Sequence, residues 1–413
     1  DRDRFERVLR ELGIPKPAGR AVTSVAAARE VAAEIGYPVL VRPSYVLGGR
    51  AMEILYGESD LLSYMTYVVE VSPKAPILID KYVLGKEVEV DVIADGVDCL
   101  LPGIMEHIER AGVHSGDSMA VYPGVNLTAQ EVEAIVDYTV RIGRGLGVLG
   151  LMNVQYVIYQ GEVYVLEVNP RASRTVPFLS KVTGVPMVSV ATRIMLGQKL
   201  SSMGYQTGLW KKAPLYAIKA PVFSMSKLVG VDTYLGPEMK STGEVMGVDH
   251  DYVAALTKCL LACRQSLPPT GNILLTIADR DKPEVLPLVK RLAALGYGIC
   301  ATRGTARAIE AMGLPVQMTI AKIEEGHPNV LDLIQQGLVH GVVNTVTGER
   351  TRLRDGFQVR RVATERGLPL YTSIDTFRAA VESLDSGGSG YAVRRIEEYL
   401  APRPTAVAEA RVD

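Results

Sequence analysis

The chain has 413 residues, more than one ordinary hydrophobic core accommodates, so two or three domains are expected. Lys+Arg 45 against Asp+Glu 46 leave a formal net charge of −1, which argues against nucleic acid or a membrane surface as partner. No apolar run approaches the ~20 residues of a membrane span, and the opening Asp1-Arg2-Asp3-Arg4 has neither signal-peptide character nor an initiator Met, as expected of a piece of a longer protein. Cys99, Cys259, Cys263 and Cys300 form no C-x-x-C pair; Cys259 and Cys263 share a helix face and read as buried small residues, which fits a reducing cytoplasm.

In chain order, residues 3–12 read as a helix stopped by Gly13 and Pro15. Ser24 is an N-cap candidate for a second helix that runs to Ile35 and stops at Gly36. A short strand over residues 37–43 ends at Pro43, and the Gly48-Gly49 turn separates it from a second strand over 51–56. A helix over 58–69 follows, then strands over 76–79 and 87–93, the latter alternating Glu87, Glu89 and Asp91 with apolar residues. Ala129 to Gly145 is a helix. Residues 150–159 and 163–167 then form a hairpin around Gln160-Gly161-Glu162.

In that hairpin a three-residue loop would set Gln155 opposite Glu167 and Asn153 opposite Asn169, whereas a two-residue loop would turn the polar sets to different faces. The clustering of Asn153, Gln155, Glu167 and Asn169 therefore predicts the odd loop, with Gly161 or a neighbour at positive φ. Pro170 ends the second strand. Carboxylate and amide oxygens on one face suit a hard cation such as magnesium, which fills its shell with water and phosphate oxygens. Arg171 and Arg174, just beyond, suit a bidentate grip on phosphate or carboxylate.

Residues 197–214 read as a polar connector, and the composition breaks at Leu267-Pro268-Pro269-Thr270-Gly271. Beyond it strands over 272–277, 297–301 and 342–346 alternate with helices over 283–295 and 305–312, as in a doubly wound parallel sheet. Ligands of such sheets bind beyond the carboxyl ends of the strands. That places Thr302, Thr305 and Asn344 at a candidate anion site, with Lys282 and Lys322 as phosphate partners or plain surface lysines. Thr305 also reads simply as a helix cap. The expected organisation is 1–200, a connector and helical extension over 201–270, and 271–413.

The loop Ser44-Tyr45-Val46-Leu47-Gly48-Gly49-Arg50 is no Walker A motif. Together with Val41-Arg42-Pro43, with Met105-Glu106-His107-Ile108-Glu109, with Val113 to Ser118 and with Glu167 to Arg171, it resembles the C-terminal half of the carbamoyl phosphate synthetase large subunit. The first two-thirds is similar to an ATP-grasp domain and the last third to that subunit's methylglyoxal-synthase-like (MGS-like) allosteric domain. The resemblance implies an α/β chain, an α+β ATP-grasp unit followed by a doubly wound MGS-like unit, that phosphorylates carbamate with ATP in pyrimidine and arginine biosynthesis. It implies Mg2+ or Mn2+ at Gln155, Glu167 and Asn169, and Arg171, Arg174 and His114 at the transferring phosphoryl group. Arg42, Gly48, Gly49 and Ser115 would hold phosphates, Asp80 to Val83 would line the adenine and Glu87 would take the ribose. A K+ ion near His107 and Glu109 is a further expectation. The implied partners are a glutaminase small subunit, an N-terminal synthetic half and a UMP- or IMP-like effector at Lys282, Thr302, Thr305, Lys322 and Asn344.

Two positions depart from the ornithine-activated members of that family. Ala220 follows Lys219 where they carry an acid, and Ile374 precedes Asp375-Thr376 where they carry a tyrosine; weak or absent ornithine activation is expected, although Glu109 and Asp117 remain. Val346 replaces a hydroxyl residue after Asn344 and Thr345. Two other readings stand beside this one: another ATP-grasp carboxylate ligase, and a non-catalytic effector-binding fragment.

Overall fold

The computed structural model describes residues 2–43, 51–71, 76–224, 232–345, 350–384 and 391–401, and these form three sheets. The first is a small antiparallel sheet in the order Gly19–Val22, Ile77–Lys81, Val39–Pro43, Glu53–Leu55. Val39, Val41, Ile77 and Ile79 meet Ala28, Val31, Leu61 and Met65 of helices Val25–Ile35 and Glu58–Val71 in one core. The Ser24 hydroxyl caps the first of these helices by accepting the Ala27 N–H at 3.2 Å. The Gly48-Gly49 turn, with the rest of 44–50, lies outside the described residues.

The second sheet is large and mostly antiparallel. Its main path runs Glu162–Asn169, Leu149–Tyr159, Lys86–Asp95, Ile104–His107, Ala120–Tyr122, Tyr216–Val222, Gly243–Asp249. Helix Ala129–Gly145 lies against its first three strands, burying Ile135 and Ile142 among Val90, Val92 and Val154. The stretch expected as a connector thus supplies two strands. Helix Tyr252–Ala262 packs on them so closely that a Cβ on Gly247 would stand 2.2 Å from the Ala255 carbonyl oxygen. Cys259 on that helix is fully buried, as its spacing from Cys263 implied, and all four cysteines are free thiols.

The third sheet is parallel throughout, in the order Met318–Ile320, Gly298–Thr302, Asn272–Thr276, Gly341–Asn344, Leu370–Tyr371. One face has its own core, in which Leu274, Cys300 and Val342 meet Val330, Leu333 and Val359, and the other face shares its interior with the large sheet. Ile218 and Ala220 of the large sheet, Leu256 and Cys259 of the bridging helix, and Ile273 and Leu275 of the parallel sheet form one continuous core. The short helix Ile396–Leu400 returns to the large sheet and buries Tyr399, whose hydroxyl accepts a hydrogen bond from Lys258 at 2.8 Å.

The hairpin corrects the expected loop. Tyr159 pairs with Glu162, so the turn is the two residues Gln160 and Gly161, at φ 52 and 83. Positive φ at both positions is the twist-matched hairpin geometry. The expected pairing of Gln155 with Glu167 and Asn153 with Asn169 is nevertheless present, because the register shifts between Val165 and Glu167. A bulge at Leu166 supplies the odd residue that the loop was expected to supply.

Helix Ala129–Gly145 starts with a capping box in which the Thr128 hydroxyl accepts the Glu131 N–H at 3.2 Å and Glu131 accepts the Thr128 N–H at 2.8 Å. Lys86, at the start of the central strand, reaches the same carboxylate at 2.8 Å, tying helix to sheet. Replacing Thr128 by Ala is expected to lower unfolding stability by about 1 kcal/mol, read from denaturant midpoints at unchanged slope.

Candidate active site

Three neighbouring strands carry the polar residues in register. Glu167, Gln155 and Glu89 lie side by side, and so do Asn169, Asn153 and Asp91. Directly paired residues share a sheet face, so six oxygen-bearing side chains occupy one patch. Asn169 donates to Glu167 at 2.8 Å, Asn153 to Asp91 at 3.3 Å and Gln155 to Ser115 at 2.9 Å. With their amide nitrogens engaged in this way, Asn169 and Gln155 present oxygen beside a carboxylate, a donor set that fits a hard cation. Among the described residues no three His, Cys, Asp or Glu side chains form a ready-made metal cluster. The fit therefore rests on amide oxygens and on ligands brought by a phosphate.

Over this patch opens a cavity of about 210 Å³, lined by His114, Ser115, Gln155, Arg171, Arg174 and Lys219 among others. The structure thus gathers five of the expected site residues around one space. Pro170 and the residues after it carry the chain from the strand end Asn169 to the helix Thr175–Thr183. Arg171 is exposed and donates to the Ala172 carbonyl at 3.0 Å. Arg174 is anchored on Ser241, donating to its Oγ at 2.8 Å. His114 Nδ1 accepts the Gly116 N–H at 3.0 Å, which leaves the ring proton of the neutral tautomer on Nε2. Burial lowers the His114 pKa from its ordinary value, so the ring stays neutral.

The expected nucleotide residues are spread over the small sheet and its junction with the large one. Arg42 and Asp80 form an ion pair at 3.6 Å on the small sheet. Val83 lies in the stretch joining strand Ile77–Lys81 to strand Lys86–Asp95, where its carbonyl accepts the Gly85 N–H at 3.1 Å. Glu87 opens the large-sheet strand but is 4 % exposed. The alternating acids of this strand are therefore not a solvated face.

Sequence reasoning passed over the groups that keep these acids buried. Lys219 reaches over Ala120, its partner on the adjacent strand, and donates to Glu89 at 2.9 Å and to Thr175 Oγ at 3.0 Å. Thr175 donates to Glu89 at 2.6 Å, and Ser173 donates to Asp91 at 2.7 Å. The sequence signal was present: a lone lysine inside an otherwise apolar strand, Tyr216–Val222, needs a buried anion. Burial raises the Glu89 pKa, but Lys219, His107 and Thr175 outweigh it and hold the carboxyl well below the usual range. Burial and the neighbouring Glu89 push Asp91 up to about 7.

His107 sits between Glu87 at 3.7 Å and Glu89 at 3.8 Å, and burial alone would lower its pKa, yet the two carboxylates raise it. Glu109 faces elsewhere: it accepts the Met119 N–H at 2.8 Å and the Thr376 hydroxyl at 2.6 Å. His107 and Glu109 nevertheless both line one further cavity, together with Glu106. Asp117 accepts the Lys240 and Ser241 N–H groups at 2.8 and 2.9 Å. Ala220 is buried in the common core, and Ile374 is likewise apolar and buried, so neither position adds an anion beside Glu109.

In the parallel sheet Thr302 and Asn344 end the two strands that flank Asn272–Thr276, and Lys322 follows the outer strand. Lys282 donates to the Gly304 carbonyl at 2.8 Å, across the expected strand-to-helix turn. Thr305 is not the helix cap. The helix starts at Arg303, and the Thr305 hydroxyl accepts the Ile277 N–H at 3.2 Å, fixing the neighbouring strand end. Thr345 does the same for the Ala278 N–H at 2.9 Å. Val346 lies outside the described residues. Arg360, which sequence reasoning missed, is fully buried and donates to Asn344 Oδ1 at 2.6 Å.

Residues 1–203 match the family described as carbamoyl-phosphate synthase L chain, ATP binding domain, and residues 284–372 match the MGS-like domain family. The chain is 55 % identical over 399 residues to the carbamoyl phosphate synthase large chain of Thermomicrobium roseum, covering 97 % of this chain but 37 % of that protein's length. In fold it is similar to the biotin carboxylase domain of the Hydrogenobacter thermophilus 2-oxoglutarate carboxylase, solved with MgADP, ADP and bicarbonate. That likeness has a TM-score of 0.51 at 20 % identity and covers 62 % of this chain and 64 % of that one. Residues 1–203 thus belong to the carbamoyl-phosphate synthase large-chain family of ATP-binding domains, and residues 284–372 to the MGS-like family. Among the described residues no helix is long and apolar enough to cross a membrane.

The buried acids give the fold a pH signature. Burial pushes Glu109 up to about 7, with Thr376 and the Met119 N–H opposing it, and burial likewise pushes Glu87 up to about 7. A carboxyl whose folded pKa is raised stabilises the fold below its unfolded pKa, and that contribution is lost as pH rises through the folded value. Stability is therefore expected to fall between about pH 4.5 and 7 through these groups. In Glu109→Gln that slope is expected to be shallower by up to one proton, about 1.4 kcal/mol per pH unit, measured by urea unfolding across the range.

Proposed function

We propose that this chain transfers the γ-phosphoryl group of ATP to carbamate, giving carbamoyl phosphate and ADP, as one module of a larger carbamoyl phosphate synthase. The observation that supports this best is the single cavity on which Gln155, Arg171 and Arg174 converge, beside Glu167 and Asn169. The covalent demand is small: a carbamate oxygen forms a bond to the γ-phosphorus as the bond to the ADP oxygen breaks. Both reactants are anions, so the barrier falls chiefly through positioning and charge neutralisation.

Each residue then has a task. Arg174, held by Ser241, presents a fixed guanidinium to the transferring group, while exposed Arg171 can close on it. His114 offers its Nε2 proton to a phosphoryl oxygen and, being neutral, does not add an unpaired charge. Gln155, Glu167 and Asn169 would hold Mg2+ or Mn2+, which when bound neutralises the phosphate oxygens. Arg42 and the Gly48-Gly49 turn would cover the phosphates, with Ser115 below. Asp80 to Val83 would receive the adenine and Glu87 the ribose.

The relatives' remaining length would supply an N-terminal synthetic half, and a glutaminase partner would supply ammonia, in the cytoplasm. The MGS-like unit would bind a UMP- or IMP-like nucleotide at Thr302, Thr305, Asn344, Lys282 and Lys322. The apolar Ala220 and Ile374 support little or no response to ornithine.

Mixing the protein with carbamoyl phosphate, ADP and Mg2+ is expected to yield ATP, measured by coupled luminescence. Glu167→Ala is expected to lower that rate about 100-fold or more with unchanged circular dichroism. No ATP from the intact chain would favour a non-catalytic effector-binding role. Lys322→Ala is expected to weaken UMP binding roughly tenfold by calorimetry; unchanged affinity would move the nucleotide elsewhere.

A further inference from the structure

The segment 232–241 touches both sites. At its start Asp232 takes a two-pronged ion pair from the buried Arg360, Nε to Oδ1 at 2.7 Å and Nη2 to Oδ2 at 2.5 Å. The third corner of that guanidinium, Nη1, is on Asn344, at the end of the parallel-sheet strand. The fit is tight, since a Cβ on Gly356 would stand 2.6 Å from Arg360 Nη1. Farther along, the Leu235 N–H donates to Thr372 Oγ of the same domain at 3.3 Å.

The other end of the segment is built into the candidate active site. The Gly236 carbonyl accepts the His114 N–H at 2.8 Å. The Lys240 and Ser241 N–H groups are held by Asp117, and the Ser241 hydroxyl donates to the Gly116 carbonyl at 2.7 Å while accepting from Arg174. Met239 itself lines the cavity. On the segment's own side these bonds are made by Gly236, Lys240 and Ser241, none of which has been given a part in phosphoryl chemistry. What they fix is the place of Arg174 and of the His114 loop.

We propose that residues 232–241 are a positioning strap, bolted to the MGS-like domain by the Asp232–Arg360 pair, and that a nucleotide bound at Asn344 acts on Arg174 and His114 through it. Asn344, which the nucleotide would engage, is held by Arg360 Nη1, so the ligand and the anchor of the strap share one residue. A ligand that changes the Arg360–Asn344 contact changes the anchor of the strap, and by linkage an occupied active site changes nucleotide affinity by the same factor. The proposal rests on the phosphoryl-transfer reading for its kinetic consequence but not for its structural one.

The test has two independent arms. By hydrogen exchange, Asp232→Asn is expected to speed exchange at residues 114–118 and 235–241 while leaving the strand Tyr216–Val222 protected. Unchanged exchange at 114–118, or an equal rise in the strand, would overturn the strap. In ATP formation from carbamoyl phosphate and MgADP, Asp232→Asn and Ser241→Ala are each expected to raise KM for carbamoyl phosphate at least about fivefold. The double variant is expected to be little worse than either, because both remove one chain of contacts. Saturating UMP is expected to shift the wild-type rate but not that of Asp232→Asn, with Asp232→Glu restoring part of the response. Additive effects, or a full UMP response in Asp232→Asn, would also overturn it. A wild-type chain that makes no ATP would defeat the phosphoryl-transfer reading alone, and the exchange arm would still decide the strap.

Discussion

The Lys219 ammonium holds together an arrangement that electrostatics otherwise forbids. Glu87, Glu89 and Asp91 stand on one face of one strand, each 4 % exposed or less. Like charges so placed, away from water, would drive one another to protonate. Lys219, bonded to both Glu89 and Thr175, keeps Glu89 ionised, while Glu87 and Asp91 are pushed towards neutrality. A buried pair of this kind contributes little net stability, but removing one partner leaves an uncompensated charge at a cost of about 3–5 kcal/mol. Its worth lies in the electrostatic floor it sets beneath the cavity: one fixed anion, one fixed cation and acids poised near neutral pH, with little freedom to relax.

On that floor the geometry of the oxygen patch depends on a single extra residue. Without the bulge at Leu166, a two-residue turn would put Glu167 and Asn169 on the face opposite Gln155 and Asn153. The sequence announced the destination, since four amides and carboxylates at matching intervals had to cluster. It did not announce the route. Gln160-Gly161 has the composition of a two-residue turn and also fits a longer loop, and a bulge has no residue signature when its extra member is an ordinary leucine. Helix limits were legible for a similar reason in reverse: Ser24 and Gly36 act through their own side chain or φ, so the cause sits where the effect does.

The residues that sequence reading missed share a property. Lys219, Thr175, Ser241, Asp232 and Arg360 owe their roles to partners tens to hundreds of positions away. Arg360 meets Asp232 across 128 residues and Lys219 meets Glu89 across 130. Local periodicity carries no trace of such pairings. The misread Thr305 is a milder case: it occupies the first turn of a helix, where a threonine ordinarily caps, but its hydroxyl serves the Ile277 N–H of the next strand end. The stretch 201–270, expected as a connector and helical extension, carries the helix Tyr252–Ala262 and also two strands of the large sheet. Its strands look short and irregular alone, and they are strands because the large sheet and the helix Tyr252–Ala262 lie on either side.

That last feature governs how the two domains can influence each other. One of their apolar cores is shared, with Ile218 and Leu256 on one side and Ile273 and Leu275 on the other. Close-packed interiors resist sliding, so the parallel sheet is poorly suited to move as a body against the large one. Whatever passes between them must then pass through polar contacts at the rim, where geometry changes without opening a cavity. Two such routes stand beside the contact of Arg280 with the Tyr56 ring, at 4.9 Å from its centroid. One is the Glu109–Thr376 bond with its neighbour Arg110, held by Asp375 and Glu284. Its Glu109 end is buried and bonds to Met119 and Thr376, neither of which lines the cavity. The other is the 232–241 segment, which ends on the anchor of Arg174. A signal that must alter phosphate chemistry without disturbing the core has a physical reason to take the second.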